Sequence, residues 1–421
     1  MLDIKWVREN PEIVSKNLEK RQDADRLKAF NQFAKDDKEW RELNVKVERL
    51  RAERNEISRK VNLLMKEGKD AHSLIQEAKK IPDKIAQLEE RTKELKIKNE
   101  LFVSRLPNIL HESVPYGKDE ADNKVVRKWG RIPNPKFEIL NHGELIEKKG
   151  LANFDDAAKV SGKGFYYLLG DFALLEMALA RFAVDTLVKK GFKLTQVPLM
   201  LRREPYAGVT DLADFENVMY KIENEDLYLI ATSEHPMAAM YMGHIVKEEE
   251  LPVKLVGVSP CFRKEIGSHG VDEKGLFRVH QFNKVEQFVF SKPEESWKIH
   301  EELIANAEEI FQKLKLPYRV VNICTGDIGI VAAKKYDIEV WMPREKDYKE
   351  VVSCSNCTEY QAVGLNTKYW KEGKREYVHT LNSTAVADRA LRAIIENYQQ
   401  KDGSIKVPSV LVKYMNGKKV I

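Results

Sequence analysis

Cysteine is scarce in this chain: four in 421 residues, at Cys261, Cys324, Cys354 and Cys357. That excludes a small disulfide-stapled fold and points to a reducing, cytoplasmic setting. Long apolar runs are missing too. The longest, around Phe172 to Val184, is broken by Glu176 and Arg181, short of the ~20 apolar residues a membrane helix needs. Met1 to Arg21 alternate acidic and basic residues without an apolar block, so no signal peptide is expected. There is no GxGxxG and no GxxxxGKS/T, which argues against a dinucleotide fold and a P-loop. A strong charge of one sign is also lacking: 71 basic against 66 acidic residues leave +5. That balance tolerates a nucleic-acid partner without demanding one.

What the chain has in plenty is charge of both signs. Charged residues make up 33%, above the ~25% of ordinary domains, so some segment should be a solvated helix. Two heptad runs supply it. Trp40, Leu43, Val47, Leu50, Arg54, Ile57, Val61 and Leu64 step by three and four; so do Leu74, Ala78, Ile81, Ile85, Leu88, Thr92, Leu95, Asn99 and Phe102. Residues between them are mostly Lys, Arg, Glu and Gln. The pattern predicts two helices packed along an apolar seam, turning at Gly68-Lys69-Asp70. About 38 residues per helix gives an arm of roughly 55 Å. Pro82 should kink the second helix or remove one of its hydrogen bonds. On pattern alone this hairpin reads as a dimerisation device or a spacer.

Residues 106–135 are punctuated by Pro107, Pro115, Gly117, Gly130, Pro133 and Pro135 and read as a linker. The expected plan is therefore an N-terminal arm domain over 1–105, a linker over 106–135 and a second domain over 136–421. From about residue 140 helical and strand-like segments alternate. Helices are expected at Phe172–Lys190, Glu295–Leu314 and Ala390–Gln400. Strands are expected at 194–198, 227–231, 254–259, 280–290, 319–323 and 377–381. A sheet built from hairpins with helices packed on it is an α+β domain.

Chemistry concentrates around one such hairpin. Phe262-Arg263-Lys264-Glu265 and Phe277-Arg278-Val279-His280-Gln281-Phe282 flank a polar loop with Gly267, Gly270 and Gly275. Two arginines presented to one surface can clamp phosphates through forked hydrogen bonds, and an aromatic ring offers a stacking face to a base. Taken alone, these are equally ordinary surface arginines.

These segments resemble motif 2 of the class II aminoacyl-tRNA synthetases in the form found in seryl-tRNA synthetases. Thr232-Ser233-Glu234-His235-Pro236 is similar to that family's serine-pocket signature. Leu194–Pro198 resembles motif 1, and His379-Thr380-Leu381-Asn382 through Glu396-Asn397-Tyr398 resembles motif 3. Lys349–Cys357, the N-terminal Met1-Leu2-Asp3-Ile4 and Arg8-Glu9-Asn10-Pro11, Leu106-Pro107-Asn108-Ile109 and His111-Glu112-Ser113 agree as well. The resemblance covers essentially the whole chain in order and spacing. It implies an antiparallel sheet flanked by helices, preceded by an antiparallel coiled-coil arm that contacts the long variable arm and elbow of tRNA.

The activity implied is ATP-dependent ligation of L-serine to tRNA(Ser) through seryl-adenylate by a homodimer, with selenocysteine tRNA as a second candidate acceptor. The resemblance also implies roles. Arg263 holds the ATP α-phosphate and the serine carboxylate, and Arg278 the γ-phosphate. Phe282 stacks on adenine with Arg389 on the other face, and Glu265 accepts from the adenine amino group. Glu350 and Ser353 bind Mg²⁺ through ATP. Thr232, Glu234, Arg263, Glu286, Asn382 and Thr384 form the serine pocket. Cys354-x-x-Cys357 suggests zinc at first sight, but a zinc site needs two further ligands, and none is expected here.

Three departures from the family pattern stand out. Val363 and Gly364 replace paired arginines. The segment from Thr384 to Arg389 is one residue short, a deletion expected in a loop. Asp388 precedes Arg389, where a carboxylate would repel ATP phosphates or pair with Arg389. They motivate an alternative: a catalytically impaired synthetase-like protein that binds tRNA or a protein partner. A ligase charging a carrier protein is a third reading, opposed by the intact arm.

Overall fold

The computed structural model describes residues 1–212, 216–265 and 274–421. Two compact units emerge: Leu2–Leu106, and Met1 together with Pro107–Ile421.

The first unit is helical. Helices α1 (Ile4–Glu9) and α2 (Pro11–Lys20) lead into α3 (Ala24–Lys66) and α4 (His72–Ser104). Asp23 caps α3 by accepting from the Arg26 amide, satisfying an amide that the first turn leaves free. The hairpin is uneven: α3 has 43 residues and α4 has 33, or about 65 and 50 Å. At the turn Gly68 takes φ +69°, a left-handed conformation that glycine adopts without a Cβ clash. Val47, Ile57, Ile81 and Ile85 are buried along the seam, with Leu50, Val61, Leu74, Ala78 and Leu88 packed beside them. Toward the open end Phe33 and Phe102 stack at 5.3 Å between centroids. Pro82 lies on the exposed face, and α4 continues through it.

The second unit is built on an eight-stranded sheet. In chain order its strands are β1 (Lys124–Trp129), β2 (Lys193–Thr195), β3 (Val253–Phe262), β4 (Gln281–Ser291), β5 (Tyr318–Asn322), β6 (Lys334–Met342), β7 (Asp347–Asn356) and β8 (His379–Ala387). Across the sheet they run β1-β5-β6-β7-β8-β4-β3-β2. Every pairing is antiparallel except β2 with β3. The antiparallel sheet flanked by helices is thus the observed architecture, with one parallel edge pair.

Alternation along these strands sends one set of side chains to each face. Val285, Val289, Leu381, Ala385 and Ile338 join the main core with helices α5 (Gly170–Val188), α8 (Ser296–Lys313) and α10 (Arg389–Tyr398). The opposite face carries the polar residues described below. Two short helices border that face, α6 (Arg203–Val209) and α7 (Glu234–Ala239), and a third, α9 (Tyr360–Leu365), packs on α6.

Three sequence expectations need correction. Residues 106–135 are not a free connector: the Asn108 side chain donates to Val331 O and Cys357 O, and Lys124–Trp129 pair with Tyr318–Asn322 as the sheet's edge. All six residues of β1 are exposed, so no burial alternation marked it. The hairpin β6–β7, at the middle of the sheet, was not anticipated at all. Its inward rows are polar on the cavity side (Lys335, Asp337, Ser353, Ser355), which hides the apolar period of Tyr336, Ile338, Val340 and Met342. Finally, no loop separates Thr384 from Arg389. Strand β8 runs to Ala387 and only Asp388 joins it to α10. The register slips between Thr384 and Val386, leaving Ala385 as the extra residue of a bulge that re-aims the strand.

Candidate active site

A cavity of 550 Å³ opens on the polar face of the sheet, within the second unit. Its floor is a set of cross-strand neighbours. Thr384 on β8 lies opposite Glu286 on β4, and Asn382 opposite Phe288. Ser355 on β7 lies between Asn382 and Lys335, and Ser353 opposite Asp337. Residues two apart on a strand share a face, so Lys284 stands beside Glu286 and Lys335 beside Asp337.

Ten of the twelve residues singled out from the sequence line this cavity: Thr232, Glu234, Arg263, Phe282, Glu286, Glu350, Ser353, Asn382, Thr384 and Arg389. Glu265 and Arg278 do not. They flank residues 266–273, so the anticipated loop with Gly267 and Gly270 lies outside the described residues. Gly275 follows it and is buried.

The arginines are fixed by the backbone around them. Arg263 donates from Nε and Nη2 to Ala231 O at 3.4 Å, and its guanidinium sits 5.2 Å from the Phe282 ring centre. Its peptide is tied to His280 in both directions, at 2.9 Å each. Arg389 donates from Nε to Phe277 O at 3.2 Å, lies 4.9 Å over the Phe277 ring and approaches Glu350 to 3.6 Å. Two planar cations thus line one pocket with donors to spare.

The carboxylates are graded by their surroundings. Glu286 is 1% exposed. It accepts from Thr384 Oγ1 at 3.2 Å and pairs with Lys284 Nζ at 2.8 Å. Burial pushes its carboxyl upward against the pull of Lys284. Glu234 accepts from Gln361 Nε2 at 2.7 Å. Burial, reinforced by the charge of Glu286, raises it to about 7. For Glu350 burial is the largest influence and acts upward. Arg389, Lys335, Arg263 and Lys284 together outweigh it and hold the carboxyl below its usual range. Asp337, buried beside Lys335 at 3.2 Å, is raised to about 7 by burial.

Several functional candidates were missed from the sequence. Lys284 and Lys335 both line the cavity, and the signal that would have found them is their i, i+2 spacing to Glu286 and Asp337. His235 also lines it, held neutral because burial lowers it to about 3. Of the two CxxC thiols, Cys354 turns into the core toward His300 O, while Cys357 meets Asn382 Nδ2 at 3.6 Å in the cavity. Burial pushes both thiols up.

The departures at 364 and 388 have local explanations; valine at 363 has none in the structure. A Cβ on Gly364 would lie 2.2 Å from Gly208 O, and one on Gly208 would lie 3.0 Å from Gly364 O. Helices α6 and α9 therefore touch backbone to backbone, and no side chain fits at 364. Asp388 neither lines the cavity nor pairs with Arg389, contrary to expectation. It is 3% exposed and accepts from Tyr166 OH at 2.7 Å and from the Asn283 amide at 2.6 Å.

An antiparallel sheet carrying two fixed arginines, one at the hairpin β3–β4 and one on α10, the helix after β8, is the arrangement of a class II tRNA synthetase core. Residues 218–398 match the model of the tRNA synthetase class II core domain (G, H, P, S and T). Residues 1–110 match the seryl-tRNA synthetase N-terminal domain. Serine–tRNA ligase from Methanocella arvoryzae is 60% identical over 422 residues, covering 99% of each chain. Among solved structures, seryl-tRNA synthetase from Pyrococcus horikoshii complexed with ATP superposes with a TM-score of 0.93 at 50% identity, covering 100% of this chain and 99% of that one. Cytoplasmic serine–tRNA ligase from Naegleria fowleri in complex with AMP gives 0.89 at 36%, covering 100% and 98%. The chain belongs to the seryl-tRNA synthetase family.

Proposed function

We propose that this chain joins L-serine to tRNA(Ser) in two steps, with ATP as the first-step substrate. A serine carboxylate oxygen attacks the α-phosphorus of ATP. The bond to the β-phosphate oxygen breaks, and pyrophosphate leaves. A terminal ribose hydroxyl of tRNA then attacks the seryl carbonyl with loss of its proton, and AMP departs. The observation that carries this reading is the pocket itself: Arg263 faces a buried Glu286–Thr384–Lys284 cluster in one cavity with Phe282 and Arg389.

Activation needs no general base, because the serine carboxylate is already ionised. The site positions reactants and neutralises charge. Arg263 takes the α-phosphate and the serine carboxylate, while Phe282 and Arg389 enclose adenine. Arg278 and Glu265, which do not line the cavity, are assigned the γ-phosphate and the adenine amino group by the family resemblance. Glu286 and Thr232 receive the ammonium group, with Glu234 close by. Glu286 and Thr384 sense the hydroxyl, and Asn382 shapes the wall behind it. An amino acid lacking the hydroxyl leaves buried partners unpaired, which a site of this kind rejects strongly.

Mg²⁺ fits the residues present. Glu350 and Ser353 both face the cavity with oxygen donors, and Glu350 is kept ionised. Two protein oxygens suit an ion that takes most of its ligands from phosphates and water. Bound there, it would neutralise charge on the ATP phosphates.

Met177, Val188, Leu194, Leu199 and Met200 are apolar and exposed. A second copy covering such side chains would take apolar surface out of water, and sedimentation analysis tests for the homodimer. The basic residues of the helical hairpin supply phosphate contacts to tRNA, giving an affinity that falls with salt.

Pyrophosphate exchange into ATP, with serine, threonine, alanine and glycine in turn, tests the ligase reading. Exchange should depend on serine. Absence of exchange from folded protein that still binds tRNA would leave a binding module instead.

A further inference from the structure

Beside the joint between β8 and α10, and outside the cavity lining, lie two acidic side chains that the reaction does not use. Asp388, at the joint between β8 and α10, accepts from Tyr166 OH and from the Asn283 amide through one oxygen, Oδ2. Glu176, on α5, accepts from the Asn283 side chain. Both carboxyls therefore close on Asn283, Asp388 at its backbone amide and Glu176 at its side-chain amide. Two buried carboxyls brought together without a cation cannot both ionise cheaply, so one keeps its proton. Neither group has a lysine or arginine partner among the described residues. Among the described residues, the titratable group that meets the pair from a neighbouring segment is Tyr166, whose hydroxyl donates to Asp388.

Position gives the pair its meaning. Asn283 follows Phe282 directly, and Asp388 precedes Arg389 directly. The backbones of the two segments are tied in turn, with the Asp388 amide donating to Asn283 O at 3.1 Å. We propose that Glu176 and Asp388 share one proton and act as positioning residues, holding Phe282 on β4 and Arg389 on α10 at the separation that an adenine ring requires. This rests on the reading that those two side chains enclose adenine.

Burial, then the charge of Glu176, raises the Asp388 carboxyl to about 8, so the shared proton stays in place at neutral pH. Above that, two adjacent carboxylates repel and the joint opens. ATP affinity therefore falls on the alkaline side, although neither acid touches ATP.

The test is calorimetric titration of the full chain with ATP, without serine, between about pH 7.5 and 9.5. In that range ATP is fully ionised, and no amino-acid amine takes part. The Kd of the parent should rise toward the limit of about tenfold per pH unit that loss of one proton permits. Asp388→Asn keeps a neutral group at the joint and should hold a near-parental Kd at pH 7.5 with no alkaline rise. Glu176→Gln, which removes the second charge, should also be flat and carries the test if Asp388→Asn does not fold. A flat parent, or variants that keep the parental slope, would overturn the shared-proton pair. Phe282→Ala and Arg389→Ala go into the same titration. If both bind ATP like the parent, the adenine assignment itself fails and the positioning role falls with it. If both weaken binding while the slopes disagree, only the pair fails.

Discussion

The arm and the catalytic unit are both rich in charge, and they treat it in opposite ways. In the hairpin, Arg51 bridges Glu48 and Glu89, Lys60 pairs with Glu56, and Arg91 reaches Glu39, all with side chains 43–69% exposed. In the cavity, Lys284 and Glu286 pair with side chains 9% and 2% exposed. These outward charges keep a long helix solvated, while the arm's buried carboxylates, Asp36 and Asp37, are confined to the part of α3 that meets Lys98 and Arg8. The cavity's charges are locked, because removing either partner strands the other without water. Exposed pairs add little to stability, whereas breaking a buried pair is costly.

The comparison can be pressed from its strong end to its weak one. Arg263→Ala should reduce serine-dependent pyrophosphate exchange by at least about 10²–10³-fold with the folded state intact by circular dichroism; a near-parental rate would remove Arg263 from the site. Lys284→Met should destabilise the protein by ~3–5 kcal/mol in urea titrations. The double variant Lys284→Met, Glu286→Gln should recover much of that stability and none of the activity. If the single variant is as stable as its parent, the buried pair is not locked. Gly364→Ala should cost about 1–3 kcal/mol, since the new methyl forces α6 and α9 apart; an unchanged urea midpoint would show that the contact yields easily. At the weak end, Arg51→Ala and Glu89→Ala should leave the melting temperature where it was, singly and together. A clear loss there would mean the arm's pairs are structural.

Legibility followed the same divide. The hairpin was readable because only one stripe of each helix meets anything but water, so its period of three and four survives in the sequence. The core strands around Val285 and Leu381 were readable for the same reason on their apolar side. Hairpin β6–β7 was not, because Lys335, Asp337, Ser353 and Ser355 face a polar cavity and interrupt the apolar alternation. The resemblance located most of the pocket, yet it was silent on Lys284 and Lys335. Asp388 was misjudged because adjacency to Arg389 along the chain does not say on which side of a strand–helix joint a side chain leaves. Gly364 reads as lost charge in one dimension and as required contact space in three.

The edge strand β1 sets the order in which the molecule can be completed. Lys124 pairs with Asn322, so β1 leaves the ribosome roughly two hundred residues before its partner does, about 10–40 s at ~5–20 residues per second. Throughout that interval Val125, Val126 and Trp129 have no strand to lie against, whereas both helices of the arm are available for pairing once Ser104 has emerged. The nascent chain therefore carries a finished hairpin and a waiting strand at the same time. The stretch from Lys124 to Trp129 is thus an unpaired strand open to wrong partners for that interval.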